Sequence, residues 1–465
     1  MTPVLREGVT IGIDVGSTAV KAVAADADGR VTARVRIPHE LRVPAPDRLE
    51  HDADEAWRRG PVAALERLAP GPNVRAVAVS AMVPSLTAVD ATGRPITPGL
   101  LYGDARGRDP GSPKQQAQPL PALGEAAEFL RWTAAQAPGA AGYWPAPAVA
   151  NHALAGQAVM DVATAATAFP LFDGTGWNPE ACAERGATVE QMPRVETIGT
   201  AAGRIPRTGA VLAIGAIDAL CEQIVAGADR DGDVLVLCGT TLIVWTTIPE
   251  ARQVPGLWTI PHTTPGKSQI GGASNAGGLF LGWVDRVVGP GDPAAVDPRR
   301  VPVWSPYIRG ERTPFHDPDR RAVLDALDLT HDAASLRRAA YEASGFVVRQ
   351  LIELSGAPVA RIVAAGGGTR VGPWMQAIAD ATGRPVEVSA VAEGAALGAA
   401  FLGRMAAGLE TSIADAARWA CTERIVEPDP AWAAATGDRY QRFLELGNRT
   451  SSAIPPGGVL GLCND

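Results

Sequence analysis

"IGIDVGSTAVKAVAADADGRV", Ile11 to Val31, and "DVLVLCGTTLIVWTTI", Asp233 to Ile248, are built on one plan. In each, an apolar run of strand character ends at a glycine followed by two hydroxyl residues, and a second apolar run follows. The turns are Gly16-Ser17-Thr18 and Gly239-Thr240-Thr241. Glycine lets backbone N–H groups come close to phosphate oxygens, and Ser/Thr hydroxyls add donors. Either turn alone reads better as a plain β-hairpin. Two of them far apart in one chain suggest an internally duplicated clamp that grips a polyphosphate from both sides.

The rest of the chain has a soluble globular profile. At 465 residues it is too long for one ordinary core, so two domains are expected. Hydrophobic residues make up 46% and charged residues 20%, and the net charge of −8 argues against nucleic acid as a partner. The cysteines, Cys182, Cys221, Cys238, Cys421 and Cys463, form no CxxC pair, which points to a reducing cytoplasm and away from a zinc site. "MTPVLREGV" lacks a signal-peptide plan, and the uncharged stretch Trp132 to Met160 is broken by Pro138, Pro145 and Pro147, so no membrane span is expected. Lysine occurs only at Lys21, Lys114 and Lys267, and Lys21 lies just past the first phosphate turn.

Patterning predicts mixed α/β structure. Ile11 to Ile37 reads as a hairpin with Asp28-Gly29 at its turn, and Val74 to Ser80 and Leu86 to Asp90 as strands. Helices are expected over Glu125 to Ala135, Asp218 to Ala228, Ser335 to Leu354 and Pro373 to Thr382, and from Glu393 onward. Segments 109–121 and 138–147 read as loops. The second hairpin puts a domain boundary near 227, giving domains 1–227 and 228–465.

Four groups carry candidate chemistry. Asp14, just before Val15-Gly16, is placed to hold a hydrated Mg²⁺ beside phosphates. Gly366-Gly367-Gly368, after a buried strand and before a helix, suits contact with a flat ligand such as a purine, although most such turns are structural. Neither GxxxxGK[ST] nor GxGxxG opening a βαβ unit is present. Asp218 in "GAIDALCEQIVAG" is either a base for a substrate hydroxyl or a helix N-cap, and spacing alone favours the cap. Tyr102, Asp104 and Arg106 in "LLYGDARG" read equally as a polyol pocket or a surface salt-bridge cluster. The histidines show no metal spacing.

With those residues in hand, the chain resembles the FGGY family of carbohydrate kinases, of the actin- and hexokinase-like superfamily, over nearly its whole length. "IGIDVGSTAVKAV" looks like the family's first phosphate motif and "GAIDALCEQIVAGADRDGDVLVLCGTT" like its base and second phosphate segment. "VSAMVPSLTAVDATGRPITPGLLYGDARG" is similar to its sugar-pocket segment. "SPYIRGERTPFHDPDRRAV" and "GGGTRVGPWMQAIADATGRPVEV…EGAALGAA" look like its C-terminal signatures.

The resemblance implies two actin-like (ribonuclease H-like) domains with an interdomain cleft. It implies a kinase that uses ATP and Mg²⁺ on a sugar or polyol, with no nucleic-acid or membrane partner, cytoplasmic and possibly homodimeric by family habit. Asp218 becomes the general base and a substrate contact, and Asp14 the residue that holds the metal through water. Gly16, Ser17, Thr18, Lys21, Gly239, Thr240 and Thr241 fall to the phosphates, and Gly278, Gly367 and Gly368 to the nucleotide. Met82, Tyr102 and Asp104 map to sugar-contacting or pocket-shaping positions. Glycerol-specific members carry Arg-Glu where this chain has Met82-Val83, which argues against glycerol. Xylulose-specific members carry Met-His, matched at Met82 only, and Tyr102 stands where Trp is usual. A ketopentose such as xylulose is the expected acceptor. A non-kinase ATPase or a catalytically dead sugar sensor of the same superfamily is the alternative.

Overall fold

The computed structural model describes residues 8–45, 47–68, 73–107, 125–264, 266–391 and 393–448. Two large sheets dominate. The first takes β1 (Val9–Val15), β2 (Ala19–Ala25), β3 (Val31–Pro38), β4 (Val74–Ala81), β5 (Ala201–Arg204) and β6 (Val211–Ala213), in the order β5-β6-β4-β1-β2-β3. The second takes β7 (Asp233–Cys238), β8 (Leu242–Ile248), β9 (Trp258–Pro261), β10 (Ser268–Ser274), β11 (Arg361–Ala365), β12 (Val386–Ser389) and β13 (Thr422–Val426), in the order β9-β10-β8-β7-β11-β12-β13.

The two sheets repeat one topology. In the first, β1, β4 and β6 are parallel neighbours and β2, β3 and β5 run antiparallel. In the second, β7, β11 and β12 are parallel and β8, β10 and β13 antiparallel, with β9 added at the edge. The opening strand of each sheet is thus central, hydrogen-bonded to its own hairpin partner on one side and to a parallel strand on the other. That explains why "IGIDV" and "VLVLC" are buried on both faces and read as continuous apolar runs.

Five helices matter for the site: α1 (Asp218–Ala226), α2 (Gly278–Val288), α3 (Ala333–Ser355), α4 (Gly372–Thr382) and α5 (Gly394–Ala406). α2, α3 and α4 cover one face of the second sheet around Phe280, Phe346, Trp374 and Met375. α3 is opened by Asp332, whose carboxylate accepts from Ser335 N at 2.9 Å, and closed by Gly356 at φ 60°. α5 comes from the second half of the chain yet packs on the first sheet, against β1, β4 and α1. Its sequence explains how. Gly394 to Arg404 is wholly buried, with small residues on all sides. A Cβ on Gly12 of β1 would run into the Ala396 carbonyl, and one on Gly398 into the Cys221 carbonyl of α1. Backbone meets backbone on both flanks of α5.

The expected elements stand within a residue or two, with two differences. The Ile11–Ile37 hairpin is three strands with two turns, because Gly16–Thr18 and Asp28-Gly29 both reverse the chain. The expected loop at 138–147 contains a strand, Gly142–Trp144, paired with Ser85–Val89, and the start of a helix, Ala146–Ala155, with Pro147 in its first turn where no amide is needed. The loop expected at 109–121 and Cys463 lie outside the described residues. Prediction: Gly12→Ala forces β1 and α5 apart and should cost about 1–3 kcal/mol in urea unfolding; parental stability would show that α5 does not sit tightly on β1.

Candidate active site

The site residues converge because each follows the carboxyl end of a strand at or near the centre of its sheet, where open α/β sheets present their ligand crevices. Gly16 follows β1 and Met82 follows the adjacent parallel β4. Gly239 follows β7, and Gly366 follows the adjacent parallel β11. Asp218 lies just beyond β6, one residue after Ile217, which bridges to Ala81.

The two phosphate turns face each other, with Tyr102 near both. Its hydroxyl lies 2.7 Å from Ser17 Oγ, and the Thr240 side chain is near enough to act on it. The first turn is propped from behind. Trp57 Nε1 donates to His51 Nδ1 at 2.9 Å, so the remaining ring proton is on Nε2 and donates to the Ser17 carbonyl at 2.8 Å. Burial pushes the His51 imidazole down to about 4, so it stays neutral and keeps that tautomer at working pH. The second turn is propped by α2: Gly278 N donates to the Gly239 carbonyl at 2.9 Å and Leu279 N to the Thr240 carbonyl at 3.0 Å. The Gly278 amide is thereby engaged with the turn.

The third glycine turn sits beside the second. Gly366 has φ 95° and backs onto the Cys238 carbonyl. Gly368 has no room for a side chain against Trp374 and Cys238, whereas the Cβ direction of Gly367 is open.

Between the lobes lies a surplus of negative charge. Asp14 is directly opposite Lys21 across the hairpin and beside Ser80 of β4; Lys21 Nζ is 3.8 Å and Ser80 Oγ 3.4 Å from its carboxylate, both long contacts. Burial raises the Asp14 carboxyl, and Lys21 partly offsets that. Asp218 is pushed up to about 7, first by burial and then by Asp14. Glu222, one turn further along α1, is pushed up to about 8 by burial, with Asp14 and Asp218 adding. One lysine thus serves three carboxyl groups, a donor set that suits a divalent cation. Among the described residues no three His, Cys, Asp or Glu side chains converge on one point.

Asp218 is not the N-cap. Ile217 holds that position, and Asp218 is the first helical residue, with Oδ1 accepting from Ala219 N at 2.7 Å. Its side chain is only partly buried and opens towards Tyr102 and Asp14.

Of the positions expected to contact the sugar or shape its pocket, Asp104 needs correction. Asp104 is fully buried: Oδ1 accepts from Arg106 N and Nε, and Oδ2 from Leu49 N and Arg106 Nη2, while Arg106 Nη1 lies 2.7 Å from Glu50. It is neither a surface pair nor a group open to substrate; it ties down the loop that carries Tyr102. Met82 is packed in the first-lobe core at 2% exposure and shapes the wall from behind. Sequence reading missed His51, Glu222 and Arg309. Only Glu222 carried a local signal, its four-residue spacing from Asp218 on one helix face.

A duplicated sheet pair that closes two glycine–hydroxyl turns over one cleft defines a two-lobed nucleotide clamp. The chain matches models of the FGGY family of carbohydrate kinases, its N-terminal domain over residues 9–110 and its C-terminal domain over residues 234–407, and it belongs to that family. It is a phosphotransferase with an alcohol group as acceptor, and the family uses ATP with Mg²⁺. It is 25% identical over 454 residues to a gluconokinase of Bacillus subtilis (strain 168), covering 86% of this chain and 87% of that one. It is 26% identical over 460 residues to a xylulose kinase of Streptomyces rubiginosus, covering 88% and 90%. A ligand-bound xylulose kinase from Lactobacillus acidophilus superposes with a TM-score of 0.78 at 20% identity, covering 96% of this chain and 99% of that one, so the fold is the two-domain actin-like one. No helix among the described residues is long and apolar enough to cross a membrane.

Prediction: a Cβ on Gly239 would meet only the Thr241 carbonyl, at 3.4 Å, so Gly239→Val should fold. Its branched side chain would stand where phosphate comes close, and ATP affinity should fall by at least about tenfold. Calorimetry that finds parental ATP affinity takes this turn out of the site.

Proposed function

We propose that two domains, divided near residue 227, close over ATP and transfer its γ-phosphoryl group to a hydroxyl of a sugar or polyol, with Asp218 as the base. The observation that supports this reading is the Ser17–Tyr102 hydrogen bond, with Thr240 and Asp218 both near enough to act on the Tyr102 hydroxyl. Amides and hydroxyls of Gly16, Ser17, Thr18, Gly239, Thr240 and Thr241 hold the phosphates, with Lys21 next to the first turn. Of Gly278, Gly367 and Gly368, which border the nucleotide in this reading, only Gly367 has an open Cβ direction, while Gly278 and Gly368 pack against the second turn and its strand. Asp14 holds hydrated Mg²⁺, which when bound neutralises charge on the phosphoryl oxygens.

Phosphoryl transfer asks a protein mainly for alignment and charge stabilisation. As the acceptor oxygen bonds to the γ-phosphorus, the bond to the β–γ bridging oxygen breaks, ADP leaves, and the hydroxyl proton passes to Asp218. Closure of the lobes keeps water out and limits idle hydrolysis. Relatives named for gluconate and for xylulose, at similar identity, bring a sugar acid and a ketopentose such as xylulose to this chain as candidate acceptors. Cytoplasmic residence is part of the same reading and agrees with Cys182, Cys221, Cys238 and Cys421 being unpaired.

Prediction: Asp218→Asn should lower turnover by about 10²–10⁴-fold while ATP still binds. The base works only when ionised, so parental kcat/KM should climb about tenfold per pH unit below a bend near 7 and level off above it. The variant should lose that limb. Stability against pH gives an independent control. A carboxyl raised in the folded state favours folding at low pH, and that contribution is lost as pH rises from 3.8 through about 7. At pH 8 the Asn variant should therefore melt no lower than the parent. Parental turnover in the variant, with the limb intact, removes Asp218 from the role.

A further inference from the structure

Beside Tyr102 and Gly103 lies a group that the phosphate-transfer reading leaves unused. Arg309 and Arg312 sit in the loop after the Val303–Ser305 strand and approach the first lobe at Tyr102-Gly103. Arg309 Nη2 reaches across the lobes to the Gly103 carbonyl at 3.2 Å. Its Nε, and both Nε and Nη2 of Arg312, are buried without a hydrogen-bond partner. No described carboxylate lies within ion-pair distance of either guanidinium.

The nearby acids are engaged elsewhere. Glu311, between the two arginines, is 3% exposed and accepts from Ser274 Oγ at 2.6 Å, Asn275 N at 3.0 Å and Arg312 N at 2.6 Å. It fastens the loop to the end of β10. Asp104 is held by Arg106 and Leu49 N, and Glu125 accepts from Gly103 N at 3.0 Å. The two arginines also feel each other's like charge.

Buried guanidinium donors left unmatched are costly, and two close together are costlier, unless an oxyanion completes them. The planar N–H fork of arginine matches a carboxylate in a bidentate geometry. Arg309 is anchored at Gly103, next to Tyr102, and the pair does not figure among the groups that act on Asp14, Asp218 and Glu222. Tyr102 is the shared neighbour, felt by Asp218 on one side and by Arg312 on the other. Resting on the kinase reading above, we infer that Arg309 and Arg312 receive the carboxylate of the acceptor, which is a sugar acid whose hydroxyl end lies at Asp218.

The same donors would also suit a nucleotide phosphate, so the test separates the two. ADP release is followed with sugar acids of four to six carbons, each paired with the neutral alditol, aldose and ketose of the same length, for the parent and for Arg309→Gln and Arg309→Lys. Melting temperatures confirm folding. A sugar acid should exceed its neutral counterparts in kcat/KM by at least roughly 10²-fold. Arg309→Gln should remove about 10²-fold of that preference, chiefly through acceptor KM, and Arg309→Lys should restore part of it, with KM for ATP unchanged. Selectivity for a neutral acceptor such as a ketopentose overturns the inference and leaves the kinase reading standing. So does a loss in Arg309→Gln that falls on ATP and on all acceptors alike, which would give the pair to the triphosphate. Absence of ADP release with every acceptor overturns both.

Discussion

The close approach of α5 to β1 and α1 is the constraint on which the site depends. Asp14 is on β1 and Asp218 begins α1; the sheet links them through Ala81, which pairs with Val15 and bridges to Ile217. A helix from the second half of the chain adds a stiff tie, packed against both with glycine or alanine at each contact. Large side chains would have packed there too, but would have held the strand and the helix further apart. Buried small residues contribute little apolar area each. What they provide is a short, stiff spacing with few alternative packings. α1 in turn touches both sheets, so the helix that begins with Asp218 is also the piece between the lobes.

That spacing brings acids together, and the electrostatics follow. Asp14, Asp218 and Glu222 share Lys21, and burial disfavours the charged form of each. A triphosphate entering such a cleft would add negative charge to negative charge. A divalent cation beside Asp14 resolves the conflict for both. A base poised near neutrality is the other consequence: desolvation does most of the work and Asp14 the rest, so the environment that attracts the cation also keeps Asp218 from being too weak a base.

Sequence showed the duplication because the signals are local. A strand, a glycine, two hydroxyls and a second strand lie within about fifteen residues, and β1 and β7 are apolar throughout because both their faces are covered. Other features had no local signature. Asp218 at a helix start reads the same whether it caps the helix or faces a cleft, and only β6, β4 and α5 together decide where it points. The Asp104–Arg106 pair looked like surface because nothing nearby in sequence tells that Leu49 and Glu50 enclose it. His51 was silent for a related reason. Its tautomer is set by Trp57, six residues on, but its target, the Ser17 carbonyl, belongs to another strand pair.

The two sheets are alike in path and unlike in charge, and this asymmetry divides the labour. At the register where β1 carries Asp14 opposite Lys21, β7 carries Leu237 opposite Ile243. The first hairpin therefore offers a charged edge for a hydrated metal, and the second offers only amides and hydroxyls backed by α2. The second lobe brings its charge from elsewhere, on the Arg309–Arg312 loop that Glu311 fastens to β10. Acids thus gather around Asp14 and the start of α1, and guanidinium groups stand at Gly103 beside Tyr102. Two turns of one plan therefore carry unlike charge, and that difference gives the cleft the polarity on which the proposed placement of two ligands rests, with Tyr102 bonded to the first turn.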